Sequence, residues 1–142
     1  MLRDQMTNIH PLPAIPPVAA IVDNTPLVSS IIDTAGYESL TWLIATGAEV
    51  DADATFAVTM THGDQSNLSD AAAVAATDVV GTLALASFDF SADNKTRKIG
   101  YIGIHRYVQL TITPANNTGN FFASAIALLG NPHNAPTPNP PV

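Results

Sequence analysis

Residues 98–114, KIGYIGIHRYVQLTITP, alternate apolar and polar side chains almost without a break. Ile102, Ile104, Val108, Leu110 and Ile112 fall on one face at a period of two, while Tyr101, Gly103, His105, Tyr107, Gln109 and Thr111 fall on the other. A helix scatters such a pattern around its axis, whereas a pleated strand keeps it on one side. Arg106 breaks the apolar register and marks a bend, a bulge or an edge where its long stem reaches water. Pro114 and the cluster Ala-Asn-Asn-Thr-Gly-Asn close the run. The stretch reads as a central strand of an all-β domain.

The same period recurs on both sides of it. Residues 27–33 form a short strand ended by Thr34-Ala35-Gly36. Residues 38–46 place Leu40, Trp42 and Ile44 on one face, and residues 54–61 turn Phe56, Val58 and Met60 inward. The acidic segment from Glu49 to Asp53 keeps the turn between them solvated. In the middle, Ser69-Asp70 followed by an alanine-rich run is either a short capped helix or an irregular strand, since six residues cannot hold a helix without tertiary support. Val79, Val80, Leu83, Leu85, Phe88 and Phe90 resume sheet-like spacing, and residues 120–129 (NFFASAIALL) supply a final strand buried on both faces for part of its length. Short strands joined by turns, with little helix, predict a jelly-roll-like β-sandwich of about eight strands spanning residues 27–130.

Proline sets the ends apart. Pro11, Pro13, Pro16, Pro17 and Pro26 exclude helix and central strand from residues 1–26, which read as an extended Pro-rich arm. Ile9, Leu12, Ile15 and Val18 are spaced along this arm, so it either lies on another surface or packs loosely on its own domain. These four residues are the candidate partner-binding side chains. Residues 131–142, with Pro136, Pro138, Pro140 and Pro141 and almost no apolar side chain but Val142, read as a second, disordered or extended tail.

The chemistry expected of the chain is mostly a list of exclusions. Hydrophobic residues make up 46% and charged ones 12%, so a packed core is expected. There is no cysteine, hence no disulfide, thiolate ligand or thiol nucleophile. A net charge of −7 would repel a phosphate backbone, so no nucleic-acid partner is expected. No apolar run approaches the roughly 20 residues that span a bilayer, and the proline-broken N-terminal stretch does not read as a secretory signal. His62 and Asp64 offer two metal ligands without a third nearby in sequence, Asp51 and Asp53 lack the glycine and distal glutamate of a calcium loop, and His105 stands alone where a cupin site needs two histidines one residue apart. No phosphate loop, nucleophile elbow or His-Glu-x-x-His is present. The expectation is a protein that is not an enzyme and needs no cofactor. Asn67-Leu-Ser69, Asn94-Lys-Thr96 and Asn116-Asn-Thr118 have meaning as glycosylation triplets only in a secreted chain.

Gly36-Tyr37-Glu38-Ser39-Leu40, Thr46-Gly47, Asp78-Val79-Val80-Gly81, Gly100-Tyr101-Ile102-Gly103, Arg106-Tyr107-Val108 and Pro114 together resemble a family of small proteins of tailed bacteriophages and prophages. Several members of that class are jelly-roll cement, or decoration, proteins on the outside of the head. The resemblance covers roughly residues 20–135 and rests on glycines, aromatics and alternating apolar residues, which report sheet geometry more than chemistry. It implies a capsid-binding structural protein, assembled in the host cytoplasm onto the capsid exterior. Its expected partners are the major capsid protein and further copies of itself, as a homodimer or homotrimer, with no membrane partner. The competing expectation is a carbohydrate- or receptor-binding β-sandwich of a virion, in which Tyr37, Trp42, Tyr101 and Tyr107 stack on sugars.

Overall fold

The computed structural model describes residues 3–141, so Val142 and the first two residues of the arm lie outside the described residues. Eleven strands run in chain order as β1 (Ile9–Ile15), β2 (Leu27–Val28), β3 (Ile32–Asp33), β4 (Tyr37–Glu49), β5 (Thr55–Gly63), β6 (Ala72–Ala73), β7 (Val79–Val80), β8 (Phe88–Asp89), β9 (Thr96–Tyr101), β10 (Tyr107–Ala115) and β11 (Phe121–Pro132). One helical turn, α1 (Leu83–Ala86), sits between β7 and β8, capped by the Thr82 hydroxyl, which accepts from the Leu85 N–H at 3.0 Å. The strands form two sheets, one ordered β1-β11-β4-β9-β7 and one ordered β2-β10-β5-β6, with β3 added on β10 and β8 on β5.

The pairing follows one long hairpin folded over on itself. β5 pairs β6 at its tip, β4 pairs β9, the broken strand β2–β3 pairs β10, and β1 pairs β11 at its open end, all antiparallel. Rolling that hairpin into two facing sheets gives a jelly roll. Inward residues of both sheets close a single core around Trp42, Phe56, Phe88, Ile99, Leu110, Ile112, Phe121 and Leu129. The Phe56 and Phe121 rings lie 4.3 Å apart between centroids, which locks β5 against β11. The break between β2 and β3 has a local cause. Ser29, 3% exposed, receives the Leu110 N–H on its hydroxyl at 2.9 Å and donates its own N–H to the Leu110 carbonyl at 2.8 Å, so the serine does the work of a ladder residue.

Three sequence expectations change. The sheet starts at Ile9, inside the stretch read as an arm, because proline bars a residue from a central strand and not from an edge. Pro11 and Pro13 pair with Leu128 and Ile126 on one side only, and their missing N–H groups belong to the open side. The tail is tied down as well: Thr137 donates its N–H to the Thr7 carbonyl at 2.9 Å and its hydroxyl to the Ile9 carbonyl at 2.6 Å. The domain limits of 27 and 130 therefore become Ile9 and Pro132, with Thr137 packed outside them.

Residues 98–114 do not form one strand. They divide between the two sheets as β9 and β10, and the alternation slips by one residue across 102–106. Before the slip Ile99 and Tyr101 point inward; after it Val108, Leu110 and Ile112 do. Ile102 and Ile104, read as core residues, are 60% and 95% exposed on the connection. In the alanine-rich middle, the open choice resolves to the short strand β6, followed by a 3-10 turn over Ala76–Asp78.

Candidate interaction surface

The outer faces of the two sheets differ in chemistry. Across the sheet built on β5 and β10, the outward positions pair Thr59 with Thr111, Thr61 with Gln109 and Ala57 with Thr113. This face is rich in hydroxyls, with Val28, opposite Thr111 and exposed, as its large aliphatic side chain. Across the other sheet, one register row runs Pro13, Ile126, Leu43, Lys98, each opposite the next on neighbouring strands. A parallel row runs Pro11, Leu128, Thr41, Gly100, Val80, and a third joins Ser124, Ala45 and Thr96. Leu43, Ile126, Phe122 and Val80 remain 37%, 43%, 48% and 58% exposed. Phe122 is spread over Gly47, whose absent Cβ would stand 3.0 Å from the Phe122 Cβ, and the patch continues to Pro17. Lys98 is the cation on this face, and among the described residues no carboxylate lies within ion-pair distance of it. An apolar strip over adjacent strands, rimmed by a free lysine, is the composition of a docking surface.

The four side chains nominated from the sequence divide accordingly. Ile15 is buried at 6% and Leu12 packs against the core, so both hold β1 to its own domain. Ile9 is half-buried at an outward position of β1, and Val18 stands 86% exposed beyond the end of that strand. Among the outward-facing Leu43, Phe122, Ile126 and Val80, the alternation of residues 38–46 separates only Leu43 from the inward set; the reading of residues 120–129 as buried on both faces is corrected, because β11 alternates, with Phe122 and Ile126 turned out of the sandwich.

Polar groups gather at one end of the sandwich. The fold brings His105 to the His62–Asp64 pair that the sequence offers as two metal ligands without a third. The His62 and His105 ring centroids lie 4.3 Å apart, His62 Nδ1 meets the Tyr101 hydroxyl at 2.9 Å, and His105 Nδ1 meets the Asp64 carboxylate at 3.0 Å. Burial first, and His105 second, hold the His62 imidazole below its ordinary value, while Asp78 and Asp64 pull the other way. Burial raises the Tyr101 phenol. Beside them Arg106 grips Asp33 through two 2.8 Å bonds, which holds the Asp33 carboxyl below the usual range, and lies over the Tyr107 ring at 5.1 Å. Among the described residues no group of three or more His, Asp or Glu is arranged to hold a metal ion.

The rings proposed for sugar stacking are mostly closed. Trp42 is fully buried and Tyr101 is 5% exposed, both inside the sandwich. Tyr37 is half-buried with its ring stacked on His10 at 5.5 Å, and Tyr107 is half-buried beside the Arg106 guanidinium. Among the described residues no helix is long and apolar enough to cross a membrane.

No protein-family model matches the chain, and no curated protein is similar to it in sequence. Several solved structures are similar in strand layout. The CBM22-1–GH10 modules of endo-1,4-beta-D-xylanase 10B from Clostridium thermocellum, complexed with xylohexaose, are 12% identical over 91% of this chain and 27% of that one, with a TM-score of 0.49. The infectious bursal disease virus Gx strain structure is 11% identical over 90% of this chain and 35% of that one, with a TM-score of 0.43. The K3 cleaved adhesin domain of Lys-gingipain from Porphyromonas gingivalis W83 is 12% identical over 77% and 70% of the two chains, with a TM-score of 0.36. The chain thus spans about a third or less of the first two. At these scores the likenesses carry no argument about binding or assembly. The fold stands on its own strand order: an all-β sandwich of two antiparallel sheets, one outer face rich in threonine and the other carrying the Leu43–Ile126–Phe122 strip.

Proposed function

We propose that this protein is a structural component of a virion, a cement or decoration protein that binds the outer surface of an assembled phage head and bridges major capsid protein subunits. The observation that carries the reading is the asymmetry of the sandwich, with a threonine-rich outer face on one sheet and the Leu43–Ile126–Phe122 strip on the other. A rigid module of this kind can lay its apolar face on a shell and leave its polar face in solvent. The resemblance over roughly residues 20–135 supports the same role. The protein acts without a reaction or a cofactor: its work is binding, on the capsid exterior, as repeated copies that self-associate as dimers or trimers.

Burying an aliphatic or aromatic side chain is worth roughly 1.5–3 kcal/mol at best, before the ordering cost of association is subtracted. A few such side chains per copy give weak single contacts, and bridging copies multiply them. A ligand that binds only the assembled shell stabilises that state by mass action. The decisive experiment is co-sedimentation with assembled phage heads, in parallel with a glycan array. Head binding that is lost in Leu43→Asp and Ile126→Asp supports the reading. Absence of head binding by the intact protein overturns it, and glycan binding in its place selects the carbohydrate-binding alternative. Deleting residues 2–20 is not a clean test, because it removes β1 from the fold.

A further inference from the structure

The connection 102–106, which carries the exposed Ile102 and Ile104, is tied at its ends, by the Ile102 N–H to the Asp78 carbonyl at 2.8 Å and by the Arg106 carbonyl, which accepts from the Thr34 N–H and hydroxyl, and its middle is held by one phenol. The Tyr101 hydroxyl receives the His105 N–H at 3.2 Å, lies 3.4 Å from the His105 carbonyl and meets His62 Nδ1 at 2.9 Å. Gly103 makes the turn over this ring possible, since a Cβ there would fall 2.4 Å from the Tyr101 hydroxyl. The charged neighbours come from every side. His62 stands on β5, and Asp64 follows that strand and binds both His105 Nδ1 and, at 3.4 Å, the Arg106 N–H. Asp70 is tied to the backbone N–H groups of Asp64 and Gln65, Asp78 precedes β7, and Arg106 is committed to Asp33 on β3.

We propose that the middle of the connection 102–106 is a proton-released latch: Tyr101 pins it while the His62 ring is neutral, and protonation of His62 frees it. The geometry gives the reason. A charged His62 ring has no match, because it is 6% exposed, its Nδ1 meets a neutral phenol and the ring packed on it, with centroids 4.3 Å apart, is His105 and not a carboxylate. The His62 backbone is held in β5 opposite Val108, so the group able to move is the loop that carries His105. The depressed imidazole of His62 agrees in sign: the pinned state keeps its full stability above the unfolded histidine value near 6.5 and loses it as the pH falls below.

Amide hydrogen exchange of the full chain, corrected for intrinsic rates, tests the latch at about pH 7 and about pH 5. The His105 amide is expected to lose protection at least about tenfold on acidification, while the amides of the β4–β11 ladder keep theirs. Equal protection at both values, or a loss shared by the ladder, overturns the proposal. His62→Gln removes the ring that takes the proton, so the change at the His105 amide is expected to shrink below about twofold; a full tenfold change in that variant overturns the proposal. Tyr101→Phe is expected to leave the His105 amide unprotected already at neutral pH, and wild-type protection there overturns the pin. Ring-carbon NMR shifts of His62 are expected to move over the same pH range as the loss of His105 amide protection, and a His62 ring that keeps its neutral shifts while protection is lost overturns the proposal.

Discussion

Single residues fix this sandwich where the backbone crowds itself. Gly103 faces the Tyr101 ring, with the hydroxyl and two ring carbons all within 2.7 Å of the place a Cβ would occupy. Gly36 differs: its φ is +88°, and nothing lies within 4 Å. Alanine at 36 therefore pays only for the left-handed backbone, about 1 kcal/mol, whereas alanine at 103 displaces a buried ring and is expected to cost roughly 1–3 kcal/mol. Urea denaturation of the two variants checks the order. The Arg106–Asp33 pair supplies a pH prediction. Asp33 is held below its ordinary value by Arg106, so its contribution is present above the unfolded carboxylate value near 3.9 and is lost as the pH falls through the depressed one. Asp33→Asn is expected to be less stable than wild type at neutral pH and to lose less on acidification to about pH 3, measured by melting temperature.

At the scale of elements, β1 shows how an edge strand hides in a proline-rich stretch. Its outward residues carry the prolines, and its inward residues His10, Leu12 and Ile15 join β11 and the core. Ile15→Ala is expected to cost about 2–4 kcal/mol, as for other buried large-to-small changes, while Val18→Ala at an exposed position is expected to stay within about 0.5 kcal/mol. Chemical denaturation of both variants separates a strand from a free arm, since comparable small effects would mean that β1 adds nothing to the fold. The division of residues 98–114 is also a matter of elements. Period-two alternation specifies which residues share a face, but it does not say when a strand leaves one sheet for the other. Arg106 marked the bend correctly, and the one-residue slip beside Gly103 exposed Ile102 and Ile104 in place of Tyr101.

For the whole molecule, the two outer faces make opposite predictions from similar substitutions. Leu43→Asp and Ile126→Asp replace side chains that are 37% and 43% exposed, so folding is expected to survive with a loss of about 1 kcal/mol or less. In the proposed role, head binding is expected to weaken at least about tenfold in each. Thr59→Asp on the opposite face is expected to leave binding unchanged, and Lys98→Glu to weaken it most at low salt, as a rim charge does. Co-sedimentation at two ionic strengths reads all four; equal losses for Leu43→Asp and Thr59→Asp would remove the face assignment.

The sequence alone determined the class of fold and most of its inward residues. Alternation at Leu40, Trp42, Ile44, Phe56, Val58, Met60, Val108, Leu110 and Ile112 is a local property, readable because a strand's side chains have a period of two. Tertiary structure alone decided what depends on pairing partners far apart in the chain. β1 became a strand because β11 offered it an edge, Leu43 and Ile126 became neighbours through the β4–β11 register, and His62 met His105 because β5 and β10 lie side by side. Local pattern says which way a side chain points from its strand; only the register of one strand on the next says what it meets.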